Sequence, residues 1–265
     1  MKLQSLGHQS ELIFTSFDGA FETRPNYAVL RTLSNPNYFW GNLLIMPKAP
    51  QKGECEKWVE LFKKEFSDPR IYHQTFTWNE DQAGDVGEFL ERGFELESSA
   101  VMQASIVHPP PKFNSEIIVR PITSLEWSEM IELQVRAADD HLPKVEWRKF
   151  YEAQSKRYIA MEVAGMGHWF GAFLEKKLVA GLGIYHHQGL GRFQSVATDP
   201  AFQRRGICGT LVYQSARYAL EKMPIKQLVM CADPDYFALR IYQSVGFKQI
   251  RIDHGVCWWD RSHKT

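Results

Sequence analysis

The sequence predicts an α/β fold: a mixed, mostly antiparallel sheet flanked by helices, arranged as two related domains. Three observations support this. The C-terminal half orders its segments as helices, a three-strand meander, then strand–helix–strand–helix–strand, which requires helices packed on a mixed sheet. Three consecutive prolines, Pro109 to Pro111, interrupt the chain before that half begins. The N-terminal half repeats, more faintly, the end of the same plan.

Before the prolines, Asn35-Pro36-Asn37-Tyr38-Phe39-Trp40-Gly41-Asn42 leads into the apolar run Leu43 to Met46. A helix then carries Trp58, Leu61, Phe62 and Phe66 on one face. Phe89-Leu90-Glu91-Arg92-Gly93-Phe94-Glu95 ends a helix on a glycine, and a strand over 99–107 follows. The segment 108–115 lacks three backbone donors and reads as an extended linker. The expected division is a domain over 1–107, the linker, and a domain over 116–265.

After the linker, Ile117-Ile118-Val119 is a strand. Thr123 or Ser124 caps a helix bearing Leu125, Met130, Ile131, Leu133 and Val135, and a second helix covers 145–163. Strands over 168–174, 179–186 and 193–198 form the meander, with turns at Glu175-Lys176-Lys177 and Gln188-Gly189-Leu190-Gly191. Next comes a helix with Ile207, Leu211, Val212, Ala216, Ala219 and Leu220 on one stripe, ended by Pro224. A strand over 227–232 precedes Asp233-Pro234, which reads as an N-cap with proline at the first helical position. Ala238, Ile241, Tyr242 and Val245 keep helical spacing up to Gly246, and a strand over 251–259 closes the chain. Tyr242-Gln243-Ser244-Val245-Gly246-Phe247-Lys248 echoes the segment around Gly93-Phe94, which suggests an internal duplication.

Lys plus Arg and Asp plus Glu are 31 each, so no net charge draws the chain to nucleic acid or to a membrane surface. Neither partner is expected. The N-terminus carries no signal-peptide core, no stretch approaches the ~20 apolar residues of a membrane span, and a cytoplasmic protein is expected. Cys55, Cys208, Cys231 and Cys257 form no C-x-x-C pair and the nine histidines form no HExxH, so no metal is expected.

The chemistry concentrates between Ser195 and Leu211. A strand holding Val196, Ala197 and Thr198 runs through Asp199-Pro200 into a basic, glycine-containing loop and then into a helix. The first turn of that helix offers unpaired N–H groups and the positive end of its dipole. Gly206 and Gly209 let an anion approach the backbone, and a diphosphate suits such a seat. Neither G-x-x-x-x-G-K-[ST] nor G-x-G-x-x-G is present, which disfavours a triphosphate loop and a dinucleotide fingerprint.

Gln203-Arg204-Arg205-Gly206-Ile207-Cys208, followed by Gly209-Thr210-Leu211, resembles the Q/R-x-x-G-x-G/A signature of the GCN5-related N-acetyltransferase (GNAT) superfamily, with Cys208 in its last slot. Downstream, Asp235, Ala238, Ile241, Tyr242, Gly246 and Phe247 occupy the slots of a second signature, N-x-x-A-x-x-L-Y-x-x-x-G-F, with Asp in place of Asn. The resemblance covers about 117–259. It implies a GNAT-type sheet and transfer of an acetyl or other acyl group from acyl-CoA to a primary amine of a small acceptor. It also implies a cofactor site at Val196, Ala197, Thr198, Gln203, Arg204, Arg205, Gly206, Ile207, Cys208, Gly209, Thr210, Asp235 and Ala238. By family position Tyr242 is the catalytic acid; it can equally pack in the core beside Ala238 and Ile241.

No base follows from the sequence. His186 and His187 end one strand, and Asp139-Asp140-His141 is either an acceptor loop or a solvated turn. The N-terminal half has no equivalent loop, and Phe89 stands at the position of Tyr242, which implies a degenerate second copy. The alternative to an enzyme is a non-catalytic acyl-CoA-binding module.

Overall fold

The computed structural model describes residues 1–32, 34–36, 38–138 and 143–261. The chain forms two compact units. One comprises Met1–Val101, Cys231–Pro234 and Ile250–Thr265; the other comprises Met102–Met230 and Asp235–Gln249. This division differs from the one read at the prolines, because the end of the chain belongs with the first unit. Its Gly255–Trp259 segment pairs antiparallel with residues 73–77, a partner nearly 180 residues away in sequence. Segment 108–115 lies within the second unit.

The first unit contains α1 (Leu6–Asp18), β1 (Gly19–Thr23), β2 (Ala28–Thr32), β3 (Leu43–Met46), α2 (Cys55–Glu65), β4 (His73–Trp78), α3 (Gly87–Glu91) and the start of β5 (Glu95–Ala104). The expected apolar run is β3, which is buried throughout. β3 and β4 are parallel and α2 is the crossover between them. Trp58, Phe62, Phe76, Phe89 and Phe94 share one buried cluster, so the face predicted for α2 is its core face.

The second unit contains β6 (Ile117–Pro121), α4 (Trp127–Ala137), α5 (Lys144–Val163), β7 (Gly167–Leu174), β8 (Lys177–His187), β9 (Leu190–Thr198), α6 (Ile207–Lys222), the start of β10 (Gln227–Ala232) and α7 (Ala238–Val245); β11 (Lys248–Trp259) follows. Its strands lie in the order β10-β9-β8-β7-β6. The meander β7-β8-β9 is antiparallel, and β9 and β10 are parallel. Leu178 to Tyr185 of β8 are all buried, as expected of a strand covered by helices on both faces.

Thr123 caps a short 3-10 turn ahead of α4 in a reciprocal capping box with Glu126. That turn carries Leu125 outward, 91% exposed, so Leu125 is not on the apolar stripe predicted for it. α7 starts at Ala238 rather than at Pro234. Residues 234–237 form a turn, and the helix begins where Ala238, Tyr242 and Val245 can face the core together.

Candidate active site

The second unit opens a cleft between two of its parallel strands. β10 pairs with β9 only at Gln227↔Leu190, Leu228↔Gly191 and Val229↔Arg192; from Phe193 onward β9 has left it. A bulge sharpens the departure. Ser195 takes a positive φ of 44°, and the register against β8 slips between Gly181 and Gly183. Beyond the split lies a cavity of about 710 Å³.

The loop from Asp199 to Gly206 forms the cavity's charged end. The Asp199 carboxylate accepts from the Ala201 N–H at 3.0 Å and pairs with Arg136 at 3.0 Å, which fixes the turn out of β9. Arg204 (φ 60°) and Gly206 (φ 79°) both adopt left-handed backbone, bringing the chain round to the head of α6. The first helical bond is Thr210 N–H to the Gly206 carbonyl at 3.2 Å. The N–H groups of Ile207, Cys208 and Gly209 therefore find no acceptor among the described residues, and they meet the cavity wall. This seat suits a diphosphate: free amides, a helix dipole and the Arg204 cation in one wall.

Of the residues expected at the site, Val196, Thr198, Gln203, Arg204, Gly206, Ile207, Cys208, Gly209, Ala238 and Tyr242 line the cavity. Ala197, Arg205, Thr210 and Asp235 do not. Ala197 alternates to the other face of β9. Arg205 turns to Glu116 at 3.6 Å. Thr210 is fully buried and braces the loop, its hydroxyl donating to the Gly206 carbonyl at 3.0 Å. Asp235 is exposed in the turn before α7.

Tyr242 is 7% exposed and on the wall. Burial pushes its phenol well above the ordinary tyrosine range, with nearby Cys208 and Tyr236 adding to the shift, so it holds its proton at neutral pH. Burial pushes the Cys208 thiol up to about 12, against a hydrogen bond with Thr198, so it is no thiolate nucleophile. Among the described residues, no Asp, Glu or His lines the cavity. His186 and His187 pair with Gly191 and Leu190, whereas Thr198 pairs with Ala180; six residues at ~3.3 Å per residue set the histidines about 20 Å away. Asp139, Asp140 and His141 lie outside the described residues.

Several wall residues were not among those expected to bind the cofactor. Pro110, Pro111 and Lys112 come from the expected linker, and Phe202, Tyr236, Phe237, Arg240, Ile241 and Ser244 complete the lining. Of these, Ile241 already stood on the predicted stripe of α7 and in the second signature.

Residues 127–247 match the sequence profile of the acetyltransferase (GNAT) family. The match is to this segment, and acyl transfer from acyl-CoA is the chemistry of that family. Solved structures share the fold over nearly the whole chain. A functionally unknown conserved protein from Staphylococcus epidermidis is 14% identical with a TM-score of 0.71, over 92% of this chain and 95% of its own. A GCN5-related N-acetyltransferase from Kribbella flavida is 12% identical with a TM-score of 0.65, over 99% and 97%. A tandem GNAT protein of the clavulanic acid biosynthesis pathway is 11% identical with a TM-score of 0.54, over 88% and 79%. No curated protein matches the sequence. Among the described residues, no helix is long and apolar enough to cross a membrane, and no group of three or more His, Cys, Asp or Glu is placed to hold a metal ion.

Proposed function

We propose that the chain transfers an acetyl or other acyl group from acyl-CoA to the primary amine of a small acceptor, using the cavity of its second unit. The observation that carries this reading is the convergence of three features on one wall: a strand edge freed by the split from β10, unpaired amides at the head of α6, and the Tyr242 phenol. Acyl-CoA supplies the activated acyl carbon of its thioester.

The chain's own residues do the rest. The amides of Ile207 to Gly209, with Arg204, hold the diphosphate. Val196 and Thr198 lie along the pantetheine arm, where a freed strand edge can add hydrogen bonds. Tyr242 Oη carries the proton that a leaving thiolate needs, and its raised pKa keeps that proton in place until then. With Cys208 held as a thiol, transfer is direct from thioester to amine. An alkylamine with a pKa of ~10 must lose a proton to react, and among the described residues no carboxylate or imidazole lines the cavity to take it.

The first unit is read as a degenerate copy of the same domain. In its support, β3–α2–β4–α3 repeats the order of β9–α6–β10–α7, each with a parallel pair around the first helix. A neighbour of similar fold is a tandem GNAT protein. The test is calorimetric titration with acetyl-CoA followed by thiol release over a panel of amines. Uptake with release on at least one amine is expected; absence of CoA uptake would overturn the reading.

A further inference from the structure

The tri-proline segment belongs to the cavity wall rather than to a free connection. It is fastened at both ends: the His108 N–H donates to the Val245 carbonyl at 3.0 Å, and the Asn114 N–H donates to Thr210 Oγ1 at 2.8 Å. Asn114 Nδ2 also donates to the Arg205 carbonyl at 2.9 Å. Between these anchors the segment crosses the head of α6 on its two glycines. A Cβ on Gly209 would stand 3.1 Å from Pro110 Cβ, and one on Gly206 would stand 2.5 Å from the Lys112 carbonyl oxygen and 3.0 Å from Lys112 Cγ. Lys112 is exposed, and its ammonium donates to the Arg204 carbonyl. It has no carboxylate partner among the described residues, so its charge is uncompensated beside the free amides of α6.

We propose that Lys112 is a cofactor-binding residue that pairs with the diphosphate of CoA, so that the segment before the GNAT domain completes its anion seat. The inference rests on the acyl-CoA reading above. Three prolines hold the segment extended before any ligand arrives, so little conformational freedom is lost on binding. The cation is carried over Gly206 to the same end of the helix as the amides, and a charge-assisted contact to a phosphate oxygen is the strongest use of it there. Donors that lack the diphosphate gain nothing from Lys112.

The test compares CoA, dephospho-CoA (diphosphate kept, 3′-phosphate removed) and pantetheine (neither) on the full chain. Lys112→Met is expected to weaken CoA and dephospho-CoA alike by roughly tenfold and to leave pantetheine unchanged, while Lys112→Arg stays near wild type. A Lys112→Met variant that binds CoA as well as wild type overturns the proposal. So does an equal loss on pantetheine, which would make Lys112 a brace only, or a loss on CoA but not on dephospho-CoA, which would assign it to the 3′-phosphate. A second measurement needs no variant: amine acetylation of the wild-type chain, read by mass spectrometry, should spare Lys112 in the presence of dephospho-CoA but not of pantetheine. Unprotected Lys112 counts against the assignment. If wild type binds neither nucleotide, the acyl-CoA reading itself fails.

Discussion

Two helix heads in this molecule share a backbone plan and differ in what fills it. Each follows a glycine in the left-handed region, Gly53 (φ 85°) before α2 and Gly206 (φ 79°) before α6, and each helix joins two parallel strands. Ahead of α2 the amides of the preceding loop are occupied by the chain's own carboxylates. Gly53 N–H donates to Glu88 at 2.8 Å, Gln51 N–H to Glu54 at 3.0 Å and Ala49 N–H to Glu80 at 2.9 Å. At α6 no carboxylate among the described residues takes that place, and Arg204 and Lys112 stand beside open amides. Carboxylates tie down the loop ahead of the positive dipole end in one unit, and cations stand beside it in the other.

The second helices make the same contrast. α3 and α7 both end on a left-handed glycine followed by phenylalanine, with Phe94 N–H bonding the Phe89 carbonyl at 3.0 Å and Phe247 N–H bonding the Tyr242 carbonyl at 3.2 Å. Equivalent hydrogen bonds make Phe89 the counterpart of Tyr242. Phe89 is buried against Trp58, Phe76 and Phe94, whereas Tyr242 reaches a cavity. A phenyl ring at that point packs but cannot supply a proton.

The comparison can be broken most severely at the glycines. Gly206→Val must place a Cβ 2.5 Å from the Lys112 carbonyl at a positive φ. It is expected to weaken CoA binding by more than about 100-fold by calorimetry. Gly53→Ala meets nothing within 4 Å and costs only left-handed strain, about 1 kcal/mol in chemical denaturation, with CoA affinity unchanged. Equal effects at the two positions would erase the distinction.

Tyr242→Phe should lower kcat roughly 100-fold with little change in acetyl-CoA affinity. Phe89→Tyr should not restore turnover to that variant, and it should cost about 1–3 kcal/mol for a buried hydroxyl without a built partner.

Acid separates two titratable groups, one in each unit, more gently. Burial pushes His73, in the first unit, from 6.5 down to about 4. The unfolded chain then takes up this proton at a higher pH than the native one, so the stability contributed by neutral His73 is whole above 6.5 and is lost as pH falls towards 4. In the second unit, Arg120 first and then the Thr123 capping contacts hold Glu126 down to about 2 from 4.5. Its contribution is whole above 4.5 and is lost only as pH falls towards 2. Hydrogen exchange across a pH series should therefore weaken the surroundings of His73 before those of Glu126, and His73→Asn should flatten the upper window around β4.

What was legible in the sequence is what depends on near neighbours. The β9–α6 turn with its glycines, the spacing of Ala238, Tyr242 and Val245, and the Gly-Phe ends of α3 and α7 are local patterns fixed by helical period and backbone sterics. Those sufficed for the fold class, for the GNAT resemblance and for most residues of the candidate site. The start of α7 escaped, because Asp233-Pro234 is an equally good local stop and only core packing moves the helix to Ala238.

The sequence by itself determined that a helix with exposed amides follows Gly206, since every cause lies within one turn of chain. The tertiary structure alone decided the rest. It placed Lys112, 92 residues from Arg204, over the head of α6, and it brought Glu88, 35 residues from Gly53, to the Gly53 amide ahead of α2. Such contacts arise from where separate elements pack, and no periodicity along the chain encodes the distance between them.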